Sequence, residues 1–283
     1  MLINFTKMHG LGNDFVMIDA ISQNINLSTE QIRFIADRHF GVGCDQLLLV
    51  EASIKEGIDF KYRIFNADGG EVEQCGNGAR CFVRFVQEKK LTTKKTIRVE
   101  TYSGVITLTT NEQGLVTVDM GKPVFNVNQL PFLASSDDSE QDNRYTLTLN
   151  TENGQETIEF SAVSMGNPHI TIKVDNLDNY PVEQIGKILE SHPSFPKRVN
   201  VGFMQIINKH QIRLRVYERG TGETLACGTG ACAAVANAIS QHWLASQVDV
   251  KLPAGNLHIQ WQAGQTLMMT GPANFVYEGQ IIL

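Results

Sequence analysis

The sequence has little positive charge and no long basic run. Its 283 residues include 24 Lys and Arg against 30 Asp and Glu, a formal net charge of −6. Nucleic-acid binding needs clustered Lys and Arg that neutralise phosphates. The densest basic run, at residues 89–95, follows a predicted helix, whose C-terminal end favours cations. We therefore expect no nucleic-acid partner.

The sequence also lacks a long hydrophobic run. Residues 1–7 (MLINFTK) lead into Met8-His9-Gly10 rather than into a continuous apolar stretch, so neither a signal peptide nor a membrane anchor fits. Hydrophobic residues make up 42% of the chain and charged residues 19%, as in ordinary soluble globular proteins. We expect a cytoplasmic protein with no membrane partner.

The five cysteines lack the spacing of a disulfide or zinc framework. Their number is odd, and no export signal accompanies them. No Cys-x-x-Cys occurs, which argues against a zinc knuckle and a redox dithiol motif, and the histidines are scattered. We therefore expect no metal and interpret Cys44, Cys81 and Cys232 as structural.

What the sequence does contain is one cysteine-bearing turn written twice. CGNGA occupies residues 75–79 and CGTGA residues 227–231, at an offset of 152, and each leads into an apolar helix pattern. The strand-like segments 62–66 and 214–218 recur at the same offset. Because the length also fits two domains of roughly 140 residues, the repeat indicates duplication of a whole unit.

Each half is predicted to be mostly β with one long helix. The apolar positions of the two helices are Ala79, Phe82, Val83 and Val86, and then Ala231, Ala234, Val235 and Ala238. This i, i+3, i+4, i+7 spacing buries one stripe of each helix. Shorter helices are expected to begin at Ser28 and Pro181, and a surface loop or hairpin is expected at 134–143.

Short strands joined by short turns favour antiparallel meanders. We therefore predict an α+β protein of two pseudo-symmetric domains, each a curved, mostly antiparallel sheet wrapped around a central helix. The N-terminal half is expected at 1–121, completed by a C-terminal strand at 272–283, and the C-terminal half at 122–271.

The repeated turn points to acid/base chemistry at a carbon that bears a carboxylate. A Cys at a helix N-terminus lies beside unpaired backbone N–H groups and the positive end of the macrodipole, which favour a thiolate. The same N–H groups suit a carboxylate. With two such turns facing each other, one thiolate removes a proton and the opposite thiol delivers one. Such a reaction inverts a stereocentre without a cofactor.

Other interpretations of these residues remain open. A lone Cys is more often a small buried hydrophobe, although duplication of the turn favours catalysis. The chain could instead be a thiol redox protein that cycles Cys75 and Cys227 through a disulfide, or a non-catalytic amino-acid-binding module. Glu218-Arg219 suits a zwitterionic ligand or forms an ordinary surface ion pair. His169 either tunes a thiol or is a hydrogen-bonded core histidine.

At its motifs the sequence resembles the diaminopimelate epimerase family. The resemblance runs nearly end to end and is carried by MHGLGNDF at 8–15, NADG at 66–69, CGNGARC at 75–81, GNPH at 166–169, YERG at 217–220 and CGTG at 227–230. Members of the family interconvert LL- and meso-diaminopimelate without a cofactor, on the route to lysine and peptidoglycan precursors.

The resemblance implies two barrel-like domains with an active site in the cleft between them, and Cys75 and Cys227 as the acid/base pair. The positions that it matches to substrate contacts are Asn13, Gln46, Asn66, Gly76, Asn77, Asn167, Asn200, Glu218, Arg219, Gly228 and Thr229. It matches His169 and Glu218 to residues that modulate the thiols. It also implies a homodimer, with Tyr277 at the dimer contact.

Two related groups differ from this chain at the motifs. Proline and hydroxyproline racemases have a His in place of Asn77 and lack the pair Glu218-Arg219 in this setting. Isomerases of the phenazine-pathway type lack the two cysteines. We therefore expect diaminopimelate rather than proline as the substrate.

Overall fold

A computed structural model describes residues 1–72, 76–102, 104–126, 129–133, 143–151 and 154–283. The chain divides into two compact units, unit 1 (Met1–Asp119 and Thr270–Leu283) and unit 2 (Met120–Met269). The halves expected from the sequence change over at residues 121 and 272 instead. No helix in the described ranges is long and apolar enough to cross a membrane.

Unit 1 is a sheet with two helices. Its elements are β1 (Leu2–Gly10), β2 (Asn13–Asp19), α1 (Thr29–Ala36), β3 (Gln46–Glu51), β4 (Phe60–Asn66), β5 (Glu71–Val72), α2 (Gly76–Glu88), β6 (Thr96–Thr101), β7 (Gly104–Thr110), β8 (Val116–Asp119) and, from the C-terminal segment, β18 (Asn274–Ile282). β18 pairs antiparallel with β1, so the last strand completes the sheet that the first one begins.

Unit 2 repeats this order of elements. It contains β9 (Tyr145–Thr151), β10 (Gly154–Ser164), β11 (Pro168–Lys173), α3 (Val182–Glu190), β12 (Asn200–Asn208), β13 (Gln211–Glu218), β14 (Gly222–Thr224), α4 (Gly228–Ser240), β15 (Gln247–Leu252) and β16 (Gly255–Gln260), and β17 (Met268–Gly271) continues into unit 1. The expected α+β class is confirmed.

The two units also share their strand pairing. β2 runs parallel to β3 in unit 1, as β11 does to β12 in unit 2. β4 runs parallel to β6, as β13 does to β15. Most other pairs are antiparallel, as expected. The parallel pairs arise because a helix lies between the paired strands in the sequence, and such a crossover returns the chain in the same direction.

One helix occupies the core of each unit. α2 packs against β1, β2, β3, β7 and β8, and α4 against β10, β11, β12, β13 and β16. The predicted stripes are buried, since Phe82 and Val83 in α2 and Ala234 and Val235 in α4 are all 0% exposed. Ser28 caps α1 with a complete capping box, also as predicted.

The small side chains of α4 allow its surroundings to approach closely. A Cβ added at Gly230 would lie 3.0 Å from Val216 Cγ2.

A buried asparagine pair joins α4 to the segment that leads into β9. Asn237 Nδ2 donates to Thr171 Oγ1 at 2.9 Å, and its Oδ1 accepts from Asn143 Nδ2 at 3.0 Å. Asn143 is therefore buried against α4, and the surface position expected for it is wrong. The rest of that segment, 134–142, lies outside the described residues.

Packing of α3 against β13 fixes the position of the strand that ends at Glu218. An added Cβ at Gly186 would lie 2.6 Å from both Cβ and Cγ of Tyr217, the residue before Glu218. These atoms are not the far end of a flexible side chain, so they cannot move aside easily. The absence of a side chain at Gly186 sets the distance between α3 and β13.

We therefore expect Gly186→Ala to lower the free energy of unfolding by about 1–3 kcal/mol, although Ala favours helix more than Gly does. The midpoint of urea denaturation measures the effect. Lys187→Ala, at the exposed neighbouring position of α3, is the matched control. A Gly186→Ala protein as stable as the wild type would contradict the steric argument.

Candidate active site

The first half-site begins at the turn between β1 and β2. Leu11 and Gly12 both have positive φ, 56° and 87°, a left-handed turn that suits Gly at the second position. The turn places Asn13 at the start of β2. At the end of β1, a Cβ at Gly10 would lie 3.2 Å from Asn77 Cβ. The Gly at this position lets the strand approach the first turn of α2.

A row of hydrogen bonds joins the turn to α2. Asn77 Nδ2 donates to Asn13 Oδ1 at 3.2 Å, and Asn77 Oδ1 accepts from Arg80 Nη2 at 2.8 Å. The Arg80 side chain also donates to the carbonyl oxygens of Gly76 and Pro272, at 3.4 and 3.0 Å. Because Arg80 is 0% exposed, this guanidinium is a buried charge held by oxygen acceptors within unit 1.

A cluster of charges lies on the other side of Asn13. Asn13 Nδ2 donates to Asp45 Oδ2 at 3.0 Å, and Arg38 bridges Asp45 and Asp14 at 2.7 and 2.8 Å. Lys7 pairs with Asp14 at 2.6 Å. Burial raises the pKa of the Asp14 carboxyl, but hydrogen bonds from Arg38 and Lys7 outweigh it and hold that pKa well below its usual range.

The remaining described residues of this half-site lie at the adjacent strand ends. Gln46 begins β3 directly after Asp45, and its Nε2 donates to Asn66 Oδ1 at 2.9 Å across the β3–β4 pair. Gly76 opens α2. Cys75 lies outside the described residues, so its place as a catalytic thiol remains a prediction from the sequence.

The second half-site is built around Cys227 at the start of α4. Cys227 is the N-cap residue, and its Sγ accepts a hydrogen bond from Gly230 N at 3.4 Å. The sulfur therefore occupies the position of a capping oxygen, beside backbone N–H groups that a helix leaves without an intrahelical acceptor. Gly228 and Thr229 form the first turn beside it.

The surroundings of Cys227 favour its protonated thiol form. Burial raises the pKa of the Cys227 thiol well above its ordinary value, and the negative charge of Glu218 adds to the effect. Hydrogen bonds from Thr229 and Gly230 lower the pKa, but by less. Desolvation of the charged form at this helix end therefore opposes the thiolate that the helix N-terminus favours.

Polar side chains connect the thiol to a buried histidine. Cys227 Sγ lies 3.6 Å from Thr229 Oγ1, which accepts from Asn167 Nδ2 at 3.5 Å. Asn167 Oδ1 lies 3.0 Å from His169 Nε2. Since an amide oxygen only accepts, Nε2 carries the proton. Burial, with the nearby charge of Arg219, lowers the pKa of His169 to about 3, so the ring is neutral at physiological pH.

Glu218 is the last residue of β13 and Arg219 follows it, and hydrogen bonds hold each of them in place. Glu218 Oε1 accepts from Thr224 Oγ1 at 2.5 Å. Arg219 N donates to Asn200 Oδ1 at 3.0 Å, while Asn200 Nδ2 donates to the Pro168 carbonyl at 2.9 Å. In this structure the Asn200 amide therefore holds the Arg219 backbone. Its predicted contact with substrate remains a prediction.

Several residues that support the half-sites escaped sequence reasoning. Arg80, Asp45 and Arg38 support the first, and Glu190, whose Oε1 accepts from Gly220 N at 2.9 Å, supports the loop after Arg219. Arg80 lies within the CGNGARC motif at residues 75–81, just after the first turn of α2, so the motif itself could have indicated it. No three His, Cys, Asp or Glu side chains of the described ranges cluster so as to hold a metal ion.

Two solved structures that share the fold are distant from this chain in sequence. A hydroxyproline epimerase from Agrobacterium vitis, with bound trans-4-hydroxy-L-proline, matches with TM-score 0.69 and 14% identity over 99% of this chain and 92% of its own. A phenazine biosynthesis protein of the PhzF family from Bacillus anthracis matches with TM-score 0.68 and 17% identity over 100% of both chains. These matches show the fold that this chain shares with both proteins.

Sequence comparison defines the family within that fold. The diaminopimelate epimerase profile matches residues 5–126 and 161–276. The diaminopimelate epimerase of Aromatoleum aromaticum is 56% identical over 99% of both chains, and that of Pseudomonas aeruginosa 54% identical over 100% of both. The chain belongs to the diaminopimelate epimerase family, as the motifs predicted.

The buried, neutral His169 predicts how stability depends on pH. The unfolded chain binds a proton at His169 near pH 6.5, whereas the folded protein does so only near pH 3, so this group costs stability as pH falls below about 6.5. Between about pH 7 and about pH 5 the cost is about 2 kcal/mol. Between these pH values, the free energy of unfolding of His169→Gln should therefore fall by about 2 kcal/mol less than that of the wild type.

Urea denaturation at both pH values measures the difference, with His39→Gln on the surface of unit 1 as the matched control. An identical pH dependence of the wild type and His169→Gln would contradict a buried neutral ring.

Proposed function

We propose that the protein converts LL-2,6-diaminopimelate to meso-diaminopimelate by two-thiol acid/base catalysis, with Cys75 and Cys227 as the pair. The observation that carries the proposal is the N-cap position of Cys227 on a buried helix, in a turn that the sequence repeats at Cys75. We also propose that the two units are the two epimerase halves that arose by duplication. No cofactor takes part in this scheme.

The reaction removes one proton from the α-carbon and adds another proton to the same carbon. The thiolate of one cysteine takes the α-hydrogen, which leaves the electron pair on the α-carbon. The S–H of the other cysteine then delivers its proton to the opposite face, so the stereocentre inverts and the two thiols exchange protonation states. Each turnover therefore ends with the second cysteine as thiolate, and solvent exchange or the reverse reaction resets the pair.

Cys227 suits the proton-donating role in the LL-to-meso direction. Burial and Glu218 raise the pKa of its thiol, so it holds a proton to deliver. A neutral His169, joined to it through Asn167 and Thr229, adds no positive charge that would favour the thiolate. By exclusion, Cys75 acts as the thiolate base in this direction.

The developing carbanion needs electrostatic stabilisation at its carboxylate. Backbone N–H groups in the first turns of α2 and α4, at Gly76, Asn77, Gly228 and Thr229, are suited to this role because a helix N-terminus carries partial positive charge. The remaining polar side chains, Asn13, Gln46, Asn66, Asn167, Asn200, Glu218 and Arg219, bind the rest of the substrate. Contacts to the non-reacting end supply binding energy, and proline has no second amino-acid end that could make such contacts.

We expect LL-diaminopimelate in heavy water to lose its α-proton signal in NMR and to yield meso product in the presence of reduced protein. Deuterium enters because a thiol delivers a proton that exchanges with solvent. Cys75→Ser and Cys227→Ser should each lower kcat by about 10²–10⁴-fold, the range for removal of one acid/base group.

Cys232→Ala, which removes a buried sulfur from the same helix as Cys227, is the matched control. Absence of both exchange and meso product would refute the epimerase proposal. Full activity in either serine variant would refute the two-thiol mechanism alone.

We further propose a cytoplasmic homodimer with Tyr277 at the contact. Tyr277 on β18 is 47% exposed, and its neighbour Val276 is 55% exposed, which leaves apolar surface for a second copy. Phe5 packs edge-on against the Tyr277 ring at 5.9 Å and fixes its position. Light scattering should give twice the chain mass for the wild type and a lower mass for Tyr277→Ala at the same concentration. A wild-type monomer would contradict the proposal.

A further inference from the structure

We propose that Arg80 and Asp45 are positioning residues that fix the direction of the side-chain amides of Asn77 and Asn13 for substrate binding. The inference rests on the proposed function for its substrate, but its structural content concerns unit 1 alone. It depends on one row of hydrogen bonds: Arg80 Nη2 to Asn77 Oδ1, Asn77 Nδ2 to Asn13 Oδ1 and Asn13 Nδ2 to Asp45 Oδ2.

The two ends of the row are chemically opposite. A guanidinium has N–H donors and no acceptor, while an ionised carboxylate has acceptors and no donor. Arg80 therefore fixes Asn77 with its oxygen toward α2, and Asp45 fixes Asn13 with its nitrogen toward β3. With both amides held in these directions, the Asn77 nitrogen faces the Asn13 oxygen, and this donor and acceptor form the middle hydrogen bond.

A reversed amide at either position loses two bonds at once. If Asn13 turned over, its oxygen would face the Asp45 carboxylate, and its nitrogen would face the nitrogen of Asn77. The equivalent reversal of Asn77 would place an amide NH₂ against the Arg80 guanidinium. Asn77 is only 5% exposed, and a buried polar group that loses its partner costs more free energy than its hydrogen bond contributes when formed. The charged ends therefore hold Asn77, and with it the half-buried Asn13, in one direction.

Each end of the row is itself anchored. Arg80 is 0% exposed and also donates to the carbonyl oxygens of Gly76 and Pro272. Asp45 accepts from Arg38 Nη2 at 2.7 Å through Oδ1, and from the backbone N–H of Asp14 at 3.1 Å through Oδ2. The ends thus keep their positions when an amide is disturbed, which is what a positioning residue requires.

Direction matters for binding because an amide offers a donor on one side and an acceptor on the other. The NH₂ group of Asn77 carries a second hydrogen beyond the one given to Asn13, and its direction is set by the same row. In the fixed direction this donor is available to a substrate carboxylate. An amide that samples both directions presents an oxygen to that carboxylate part of the time.

Asp45→Asn tests the inference with little change in shape. Its amide can accept or donate, so Asn13 is free to turn over, and we expect KM for LL-diaminopimelate to rise about tenfold while kcat changes by less than about twofold. The Asp45 side chain is 45% exposed, so the variant should fold. Asp45→Glu keeps an acceptor-only group and should recover most of the affinity.

A second readout does not need activity. In protein labelled with ¹⁵N-asparagine and free of substrate, the side-chain NH₂ signals of Asn13 and Asn77, assigned by their loss in single Ala variants, should shift and broaden in Asp45→Asn. Asp59→Asn is the matched control, because Asp59 also accepts from a backbone N–H and a cation in unit 1 but lies outside the row.

Unchanged Asn13 and Asn77 signals in Asp45→Asn would overturn the inference, whatever the kinetics. Changed signals with an unchanged KM would overturn its link to binding. If the wild type lacks epimerase activity, the proposed function fails, and the NH₂ signals still decide whether the charged ends direct the amides.

Discussion

The burial of one helix inside the sheet of each unit is the constraint from which the sites follow. Much of the first turn of each helix is buried, so the N–H groups there need partners that the chain or a ligand supplies. Cys227 meets part of this need with its sulfur, and Arg80 and Asn77 organise the equivalent turn of α2. Burial also raises the pKa of the Cys227 thiol, because the strands that surround α4 exclude the water that would solvate a thiolate.

The parts of the fold that the sequence predicted are those with local signals. The apolar stripes of α2 and α4, the Ser28 cap and the strands around Gln46–Glu51 and Phe60–Asn66 all depend on neighbours a few residues away. The parallel pairs were missed because they join strands separated by a helix. The pKa of Cys227 and the row from Arg80 to Asp45 depend on contacts between distant segments, for which spacing along the chain carries no information.

The two half-sites share a scaffold and differ in charge. At the end of β4, Asn66 forms a neutral amide pair with Gln46, whereas at the end of β13 the same position holds Glu218, followed by Arg219. In the first half-site the charged side chains are Asp45 and Arg80, which form hydrogen bonds to the amides of Asn13 and Asn77. The substrate of the proposed function, with one reacting and one non-reacting end, suits two half-sites with similar helix ends and different surroundings.

The pairing of β1 with β18 has a consequence for how the protein is made. Leu2 faces Ile282 and Ile3 faces Ile281, so β1 waits for a partner that is translated more than 260 residues later. Unit 2 is one uninterrupted segment, whereas unit 1 needs strands from both sides of unit 2 in the sequence. The half that begins synthesis first is therefore the half that finishes folding last, and until then the inner face of β1 needs protection from aggregation.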